Sequence, residues 1–484
     1  MCILNKKNMK TLKYIISFVM SCFIISSCSD DWLQLTPVSN MNEGDFYKTE
    51  KDFLTAVTAA YATLSTEFGP QSGPSYCGEQ MSDEALIYNA TGQVADKVAF
   101  MNYNLQPANS VVQSIYRNTY TNLHIINTVI AKLRNATFEE SKKAAIEGEM
   151  CFLRGLYYFN LVREFGDVPL IKRPITTVAE SYNELRVPVT EIYKSIISDF
   201  RFAADNLPLR SQISRTGQIT KGAAQSMLGK VYLTLNQKDS AAYFLREVIN
   251  SNQYQLVANY ANLWGIANKN TTESIFEIQF IGAANSPTSP YMENFAPYEN
   301  FTISGQGQGM NQVSEHLWNE YEPNDPRKEI SVFEGYTNRS GVWIDVKFQA
   351  KWYDDVYLRT SQNYYGNNFK IIRLADVYLM YAEATGSAEY LNKVRERVGL
   401  PLYGTSGYPS DLYPTFALAI EHERYVELAL EFHRWFDLKR TNRATTVLTE
   451  RKGKAITEDM LVLPIPLAEI DINPKLTQNS YYVR

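Results

Sequence analysis

The sequence predicts a mostly α-helical fold, in which pairs of helices form a scaffold and one loop-rich, partly β segment is inserted into it. Two observations predict this fold. Apolar residues recur every three or four positions along most of the chain, which is the period of an amphipathic helix. Between residues 281 and 365 this period is lost, turn-forming residues become frequent, and 15 of 85 residues are aromatic. We therefore expect an irregular, aromatic-rich insertion within a helical array.

The longest predicted helix pair lies between residues 109 and 165. Apolar positions repeat with helical spacing over residues 109–134, and Thr137 with Glu140 matches a capping box that opens a second helix. Two long helices joined by a few residues predict an αα-hairpin.

Later segments repeat this arrangement. Helices are predicted to open at Thr190 and Thr220, and small and large residues alternate in "GAAQSMLGKVYLTLN". These pairs look like degenerate tetratricopeptide repeats, in which each pair buries its apolar face against its neighbours.

One domain is predicted after residue 27. Residues 28–280 form its N-terminal helical part, residues 281–365 the insertion, and residues 366–484 its C-terminal helical part. A strand predicted at Ser274–Phe280 is expected to pair with "GVWIDVKF".

The first 27 residues resemble a bacterial export signal. Four lysines precede an apolar run of 14 residues, Tyr14–Ser27, which at about 1.5 Å per residue is too short to cross the roughly 30 Å core of a membrane. Ile25–Cys28 resembles a lipobox. Cys28 is therefore the predicted lipidation site, where palmitate-type chains anchor the protein without spanning the bilayer. The "SDD" that follows looks like the surface-export signal of Bacteroidetes lipoproteins, and the alternative is a solvated tether.

Charge and cysteine content exclude two classes of protein. The leader removes four of the 47 basic residues and none of the 52 acidic ones, which leaves a formal charge of −9 and excludes nucleic acid as a partner. Only Cys77 and Cys151 remain besides Cys28, so a disulfide framework is excluded. A single bridge between these two stays open, because Cys151 lies in a helical apolar pattern where free buried thiols are common.

No motif for metal, phosphate or nucleophilic chemistry is present. The four histidines lack metal-binding spacing, no glycine-rich phosphate loop follows a predicted strand, and no GxSxG elbow occurs. No catalytic residue, metal site or cofactor is therefore predicted. A structural calcium ion lacks support as well, since no EF-hand pattern is found.

An acidic cluster near the C-terminus has two interpretations. The cluster consists of Glu421, Glu423, Glu427 and Glu431, and the last three are spaced at i, i+4 and i+8 and are predicted to line one helix face. A glycosidase needs two carboxylates facing each other across a cleft, which one helix face supplies poorly. We therefore interpret the cluster as a structural ion-pair network. The cations expected to serve it belong to the same segment: Arg424, Arg434, Lys439 and Arg440.

Five stretches resemble the SusD/RagB-like family of Bacteroidetes outer-membrane nutrient-binding lipoproteins. They are "CFLRGLYYFNLVREFGDVPLI", "TKGAAQSMLGKVYL", "RLADVYLMYAEA", "ERYVELALEFHRWFDLKR" and "LPIPLAEIDINPKLTQN". They occur in the order of the family and span nearly the whole chain after the leader. One departure is Phe432, where the family pattern usually carries Gly, and this puts the local helix packing in doubt.

The resemblance implies a function. Members of this family bind an oligosaccharide, or in some cases a peptide, at the cell surface and deliver it to a partner TonB-dependent transporter in the outer membrane. The implied protein is therefore a lipid-anchored, non-enzymatic subunit of glycan import and polysaccharide utilisation. A peptide-binding import subunit, an extracellular glycan-degrading enzyme and a structural helical-repeat adaptor are the alternatives.

Ligand contacts are expected in the irregular segments rather than in the family motifs. Sugars present apolar C–H faces and rings of hydroxyls, so flat aromatic side chains with polar neighbours are the expected lining. Residues 69–108 and 281–365 are richest in them. The predicted ligand face consists of Tyr76, Asp83, Tyr88, Tyr298, Trp343 and Trp352, with Asn89 and Arg359 as polar partners. For each ring the alternative is packing in the core.

Overall fold

Helices form most of the described structure. The computed structural model describes residues 46–89, 92–297, 307–338 and 340–483. The predicted leader, the lipidation site Cys28 and the predicted ligand residue Tyr298 lie outside these residues. Within the described ranges, every helix is too short or too polar to cross a bilayer.

The α-helices of the described residues are numbered in chain order. They are α1 Glu50–Ala62, α2 Leu64–Glu67, α3 Gly73–Ser75, α4 Ala95–Met101, α5 Ser110–Leu133, α6 Glu140–Phe165, α7 Val178–Ser181, α8 Val189–Asn206, α9 Lys221–Thr234, α10 Lys238–Asn250, α11 Tyr291–Phe295, α12 Glu315–Glu320, α13 Arg327–Ser331, α14 Val356–Thr360, α15 Leu374–Thr385, α16 Ala388–Arg397, α17 Phe416–Glu427, α18 Arg434–Arg440, α19 Ala444–Lys452 and α20 Leu467–Ile472. Short turns of other helix types lie at Tyr76–Gln80, Arg210–Gln212, Tyr260–Leu263, Glu458–Leu461 and Ser480–Tyr482.

Helices α5 and α6 form the predicted αα-hairpin. The bounds of α5 agree with the predicted range 109–134, and the Asn109 side chain caps its first turn by accepting from two backbone N–H groups at 3.0 Å. Helix α6 begins after Glu139 without a side-chain cap. The predicted capping box of Thr137 and Glu140 is therefore wrong, because Glu140 is the first residue of the helix and not its third.

Neighbouring scaffold helices pack on one another. Helix α6 contacts α5 and α8, α9 contacts α8 and α10, and α10 contacts α15, which in turn contacts α16. Thr220 caps α9, since its hydroxyl accepts a hydrogen bond from the Ala223 N–H at 3.2 Å. The predicted class, mostly helical and tetratricopeptide-like, is confirmed.

Glycines bring some of these helices very close together. A Cβ placed on Gly229 of α9 would lie 2.5 Å from the Leu245 side chain of α10. A Cβ placed on Gly155 of α6 would lie 3.1 Å from the Phe200 ring of α8. The alternation of small and large residues in the sequence therefore serves helix packing, and a larger side chain at Gly229 forces Leu245 to move.

The β-strands of the described residues are short. They are β1 Ala85–Leu86, β2 Val168–Pro169, β3 Arg186–Val187, β4 Ser274–Ile278, β5 Gln312–Val313, β6 Val332–Phe333, β7 Tyr336–Thr337, β8 Trp343–Ile344, β9 Phe348–Gln349 and β10 Phe369–Arg373. The order β1-β5-β9-β6 forms one antiparallel sheet, and the other pairs are β4 with β10, β2 with β3 and β7 with β8.

Strand β4 has a different partner from the one predicted. It pairs antiparallel with β10, with Phe369 opposite Ile278, whereas "GVWIDVKF" contributes β8 and β9 to other sheets. Every residue of β4 and β10 is buried. A strand that is buried on both faces needs a partner strand that also lies in the core. Strand β8 cannot be the partner of β4, because its residue Trp343 is exposed.

The two cysteines are free thiols in the interior. Cys77 and Cys151 are both buried and unbridged, so the bridge that the sequence leaves open does not form. Burial raises the pKa of the Cys151 thiol to about 12. Thiols held protonated in this way are unreactive.

Replacing Gly229 by Val is expected to lower the free energy of unfolding by about 1–3 kcal/mol, because the added methyl groups overlap the Leu245 side chain. Denaturant unfolding followed by circular dichroism measures this change. The matched control makes the same substitution in a Leu245→Ala background, where the space is open and the cost should be smaller. An equal cost in both backgrounds would contradict the packing argument.

Candidate functional site

The structure brings the two irregular segments together. Strand β1 pairs antiparallel with β5, and Ala85 lies opposite Val313. Just beyond the strand, the Tyr88 N–H donates to the Gly309 carbonyl at 2.7 Å. Segments that are far apart in the sequence therefore form one surface.

This surface continues into the insertion through helix α11. The Gly309 N–H donates to the Ala296 carbonyl at 2.7 Å. Ala296 belongs to a small apolar cluster with Tyr365, and the half-buried rings of Tyr353 and Tyr357 pack against that cluster. A continuous path of contacts therefore links the loop after β1 to helix α14.

Trp343, on the β7–β8 hairpin, is the most exposed of the described rings of the insertion. Its side chain is 57% exposed. Phe333, close to this hairpin, packs edge-on against Tyr353 with ring centroids 5.2 Å apart. Tyr336 of the hairpin packs edge-on against Phe348, and Phe348 contacts Phe333, so ring contacts connect the hairpin to Tyr353. We call this surface the loop face, and its residues are Tyr88, Asn89, Trp343, Tyr353, Tyr357 and Arg359.

Four predicted ligand residues lie on the loop face. Tyr88 is half-buried, and Asn89, Trp343 and Arg359 are exposed. Asn89 has a φ of 51°, a left-handed conformation that Asn tolerates, and it turns the chain away from β1. The Nε of Arg359 donates to Asp355 at 2.7 Å, which holds the guanidinium beside the surface. Contact of these residues with a ligand stays a prediction.

Two predicted rings lie in the interior instead. Tyr76 is fully buried and stacks on Phe100 with ring centroids 4.4 Å apart. Trp352 is 1% exposed, and its Nε1 donates to the Leu430 carbonyl at 3.2 Å. The prediction of these two rings as ligand contacts is wrong, because their faces are covered by other core side chains.

Asp83 is also an interior residue. Both of its carboxylate oxygens accept hydrogen bonds from the Arg434 guanidinium, at 2.8 and 3.0 Å. Although burial favours the protonated form, this guanidinium lowers the pKa of Asp83. Asp83 therefore joins β1 to helix α18 and is not part of the ligand face.

Sequence reasoning missed Tyr353 and Tyr357. The only signal for them was the density of rings in "WYDDVY". Nothing in that stretch distinguishes Trp352, which is buried, from its neighbour Tyr353, which reaches the surface. The surrounding elements decide which ring is covered.

A cleft lies away from the loop face, between α5 and the C-terminal segment. Its volume is about 490 Å³ and its lining is mostly apolar. Ion pairs lie on its walls, Arg117 with Glu469 at 2.5 Å and Arg173 with Glu184 at 2.8 Å. Of the two tyrosines that line it, Tyr116 is buried and Tyr120 is half-buried, and neither is as exposed as Trp343.

The acidic cluster is divided between two elements. Helix α17 ends at Glu427 and α18 begins at Arg434. Between them Leu430 and Phe432 have positive φ angles of 63° and 67°. Such angles are incompatible with a continuing helix, so the prediction of one helix that carries all three glutamates is wrong for Glu431.

All three glutamates are buried in an ion-pair network. The pairs, each within 2.9 Å, are Glu423 with Arg327 and Arg395, Glu427 with Arg327, Arg373 and Arg397, and Glu431 with Arg373 and Lys351. Although burial favours a protonated carboxyl, the surrounding cations lower the pKa of Glu427 well below its usual range. The structural interpretation of the cluster is confirmed.

The predicted cations have other partners. Arg424 pairs with Asp437 at 2.8 Å and Arg440 with Glu383 at 2.6 Å, and Lys439 donates to backbone carbonyls. Arg434 holds Asp83, and only a 3.7 Å contact joins it to the nearby Glu421. The choice of cations from the same segment is wrong for Glu423, Glu427 and Glu431, because their network closes between elements that are distant in the sequence, whereas Glu421 has the predicted Arg434 at 3.7 Å.

His422 joins α17 to the insertion. Its ring is 2% exposed, and its two nitrogens lie 3.0 and 3.1 Å from carboxylate oxygens of Glu320 and Glu322. Although burial favours the neutral ring, the hydrogen bonds with both carboxylates raise the pKa of His422. Both ring nitrogens face carboxylate oxygens, so the protonated ring is the form that can donate to both glutamates.

Family profiles, curated relatives and solved structures all match this chain to SusD-type proteins. A profile described as "SusD family" matches residues 333–482, and one described as "Starch-binding associating with outer membrane" matches residues 31–233. "SusD-like protein P2" of Formosa agariphila is 27% identical over 97% of this chain and 99% of its own. The solved structure of a "Laminarin binding SusD-like protein" superposes with a TM-score of 0.78 at 28% identity, over 90% of this chain and 100% of the other.

A further solved structure shows the same fold at lower identity. "Surface glycan-binding protein A" of Bacteroides thetaiotaomicron, in complex with laminarihexaose, superposes with a TM-score of 0.75 at 21% identity, over 89% of this chain and 99% of the other. Fold and shared length define the chain as a helical-repeat protein of the SusD type. The predicted resemblance to the SusD/RagB family is confirmed, since the two profiles and the relatives together match most of the chain.

Replacing Glu427 by Gln is expected to lower the free energy of unfolding by about 3–5 kcal/mol, because three buried arginines lose a charged partner. Chemical denaturation measures this loss. The matched control is Glu389→Gln, since Glu389 is 61% exposed and pairs with Lys393 at the surface, where removing a charge costs about 1 kcal/mol or less. Equal losses for the two variants would contradict the role of the network.

The stability contributed by His422 is expected to depend on pH. Because its pKa is raised in the folded protein, the contribution is complete below the ordinary value of about 6.5 and is lost as pH rises through the raised pKa. Thermal unfolding of the wild type and His422→Gln should therefore differ most below pH 6.5 and converge at alkaline pH. A difference that is constant with pH would show that the bridge does not depend on the imidazolium.

Proposed function

We propose that the protein is a cell-surface nutrient-binding lipoprotein, which captures an oligosaccharide on the loop face and delivers it uncleaved to a TonB-dependent transporter. Cys28 carries the lipid that anchors it to the outer membrane. The family match described as associating with the outer membrane supports this location.

The observation that carries the proposal is the composition of the loop face. It combines the exposed indole of Trp343 with the half-buried rings of Tyr88, Tyr353 and Tyr357, and it places Asn89 and Arg359 at its surface. Flat rings stack on the C–H faces of sugars, and amide and guanidinium groups donate to hydroxyls. This is the chemistry of a shallow carbohydrate site.

The relatives indicate which ligands to test first. The solved relative at 28% identity is named as laminarin-binding. Laminarin-derived oligosaccharides are therefore the first ligands for this chain.

The carboxylates that the sequence singles out are unsuited to cleave a sugar. Glu423, Glu427 and Glu431 are buried and paired with cations, so no sugar can reach them. Among the described residues no group of three or more His, Cys, Asp and Glu side chains is arranged to hold a metal ion. A binding subunit needs neither feature, since release to a transporter requires only modest affinity.

Trp343→Ala is expected to weaken the binding of laminari-oligosaccharides about tenfold, because it removes the most accessible stacking ring. Isothermal titration calorimetry on the purified protein measures this change. The matched control is Tyr243→Ala, which removes a ring that is 51% exposed on scaffold helix α10 and should leave the affinity unchanged.

Three outcomes would change the proposal. Unchanged affinity of Trp343→Ala would remove that ring from the site. Binding of oligopeptides but of no glycan would indicate a peptide-import subunit, and release of shorter sugars during incubation would indicate an enzyme. Co-purification of an outer-membrane barrel with the lipidated protein tests delivery.

A further inference from the structure

A second, smaller pocket adjoins helix α11. Its volume is about 230 Å³, and it is lined by α2 and the segment that follows it, by one face of α5, and by Pro290 and Asn294 at α11. Pro290 and Asn294 line it, whereas Met292 and Ala296 pack in the apolar cluster below the loop face. Residues two positions apart on a helix point in nearly opposite directions, so α11 separates the pocket from the loop face.

The pocket is another junction of the two irregular segments. The Nε2 of Gln71 donates to Asn294 at 3.1 Å, and the Tyr291 hydroxyl donates to the Phe68 carbonyl at 2.9 Å. The Asn294 carbonyl in turn accepts from the Met310 N–H at 3.0 Å. Met310 follows Gly309, which bonds to Tyr88 on the loop face, so one short helix connects the two sites.

The lining of the pocket combines apolar surface with polar groups that are almost all uncharged. Hydroxyls and amides of Ser72, Asn118, Thr119 and Asn294 face it together with apolar surface from Ile115. Among the described lining residues only one side chain is ionisable, and no cation lines the pocket. An anionic ligand would find no counter-charge, whereas a neutral molecule with many hydroxyls would find both donors and acceptors.

The single ionisable group, Glu67, forms part of the pocket wall. It is 4% exposed, and its oxygens accept from the Thr119 hydroxyl at 2.9 Å and from Asn160 at 3.0 Å. Burial raises the pKa of Glu67 to about 7. Each of these oxygens has a second lone pair, so the group can still accept from a ligand hydroxyl.

The size of the pocket restricts what it can hold. Pockets for drug-sized ligands occupy roughly 300–1,000 Å³, and this one is smaller. It is nevertheless several times larger than the roughly 30 Å³ that one water molecule occupies in the liquid. One sugar ring, and not a chain of several, matches both the volume and the lining.

We propose that this pocket is a second carbohydrate subsite, which takes one neutral sugar unit beside the loop face. The inference rests on the proposed function for the class of ligand. The two sites differ in how they recognise a sugar. In the pocket, hydroxyl and amide groups contact the sugar, whereas on the loop face flat rings stack on it.

The test uses saturation-transfer NMR on the purified protein with glucose, galactose, xylose and laminari-oligosaccharides. Asn118→Trp fills the pocket from an exposed position on α5, and Gln71→Ala, also at an exposed residue, removes one wall contact. Signal from at least one saccharide should be lost in Asn118→Trp and retained in Trp343→Ala. Titration of the same sugar should show about five- to tenfold weaker binding for Gln71→Ala.

The matched control is Ser114→Trp, which adds the same ring at an exposed position of α5 outside the pocket and should change nothing. If no saccharide signal depends on Asn118→Trp, the pocket holds only water and the inference is overturned. Loss of oligosaccharide binding in Trp343→Ala alone would leave the proposed function standing and remove the subsite. Loss in Asn118→Trp alone would support the subsite and remove Trp343 from the loop-face site.

Discussion

Buried charge pairs between the insertion and the scaffold constrain the whole arrangement. Arg327 and Lys351 come from the insertion, and they meet Glu427 and Glu431 of the C-terminal part in a region closed to water. Removing such charges from water costs several kcal/mol per ion, and the cost is offset only when every partner is in place. A displaced insertion would leave several charges unpaired at once, so the position of the loop face depends on this network.

The helix is interrupted between α17 and α18, and this interruption places Glu431 in the network. Phe432 lies in the left-handed region with a φ of 67°, and its ring packs on Phe369 at 4.7 Å. A Cβ on Gly78 would lie 2.6 Å from the Phe432 Cα. The backbone of the first irregular segment therefore packs directly against the backbone at Phe432. The family usually carries Gly at this position, which is explained by the backbone angle. Here strain of about 1–3 kcal/mol is offset by burial of an aromatic ring.

The same core anchors the irregular segments on which the ligand site is proposed. Trp352 stacks on Phe369 with ring centroids 4.8 Å apart, and Tyr291 stacks on Phe369 at 4.9 Å. These rings come from the insertion and anchor it to β10. Rings a few residues away, such as Tyr353, are left at the surface. Part of the aromatic content therefore holds the insertion in place, and another part reaches the surface, where the ligand site is proposed.

The sequence by itself determined the helical class, the bounds of α5, the cap of α9, the family and the structural role of the acidic cluster. These follow from local periodicity and from order along the chain. Tertiary structure alone decided that β4 pairs with β10, that Glu427 meets Arg397 instead of Arg424, and that Trp352 is covered while Tyr353 is not. Partners of a buried strand, a buried charge or a ring are chosen by elements that are remote in the sequence, and burial depends on what packs from outside the local segment.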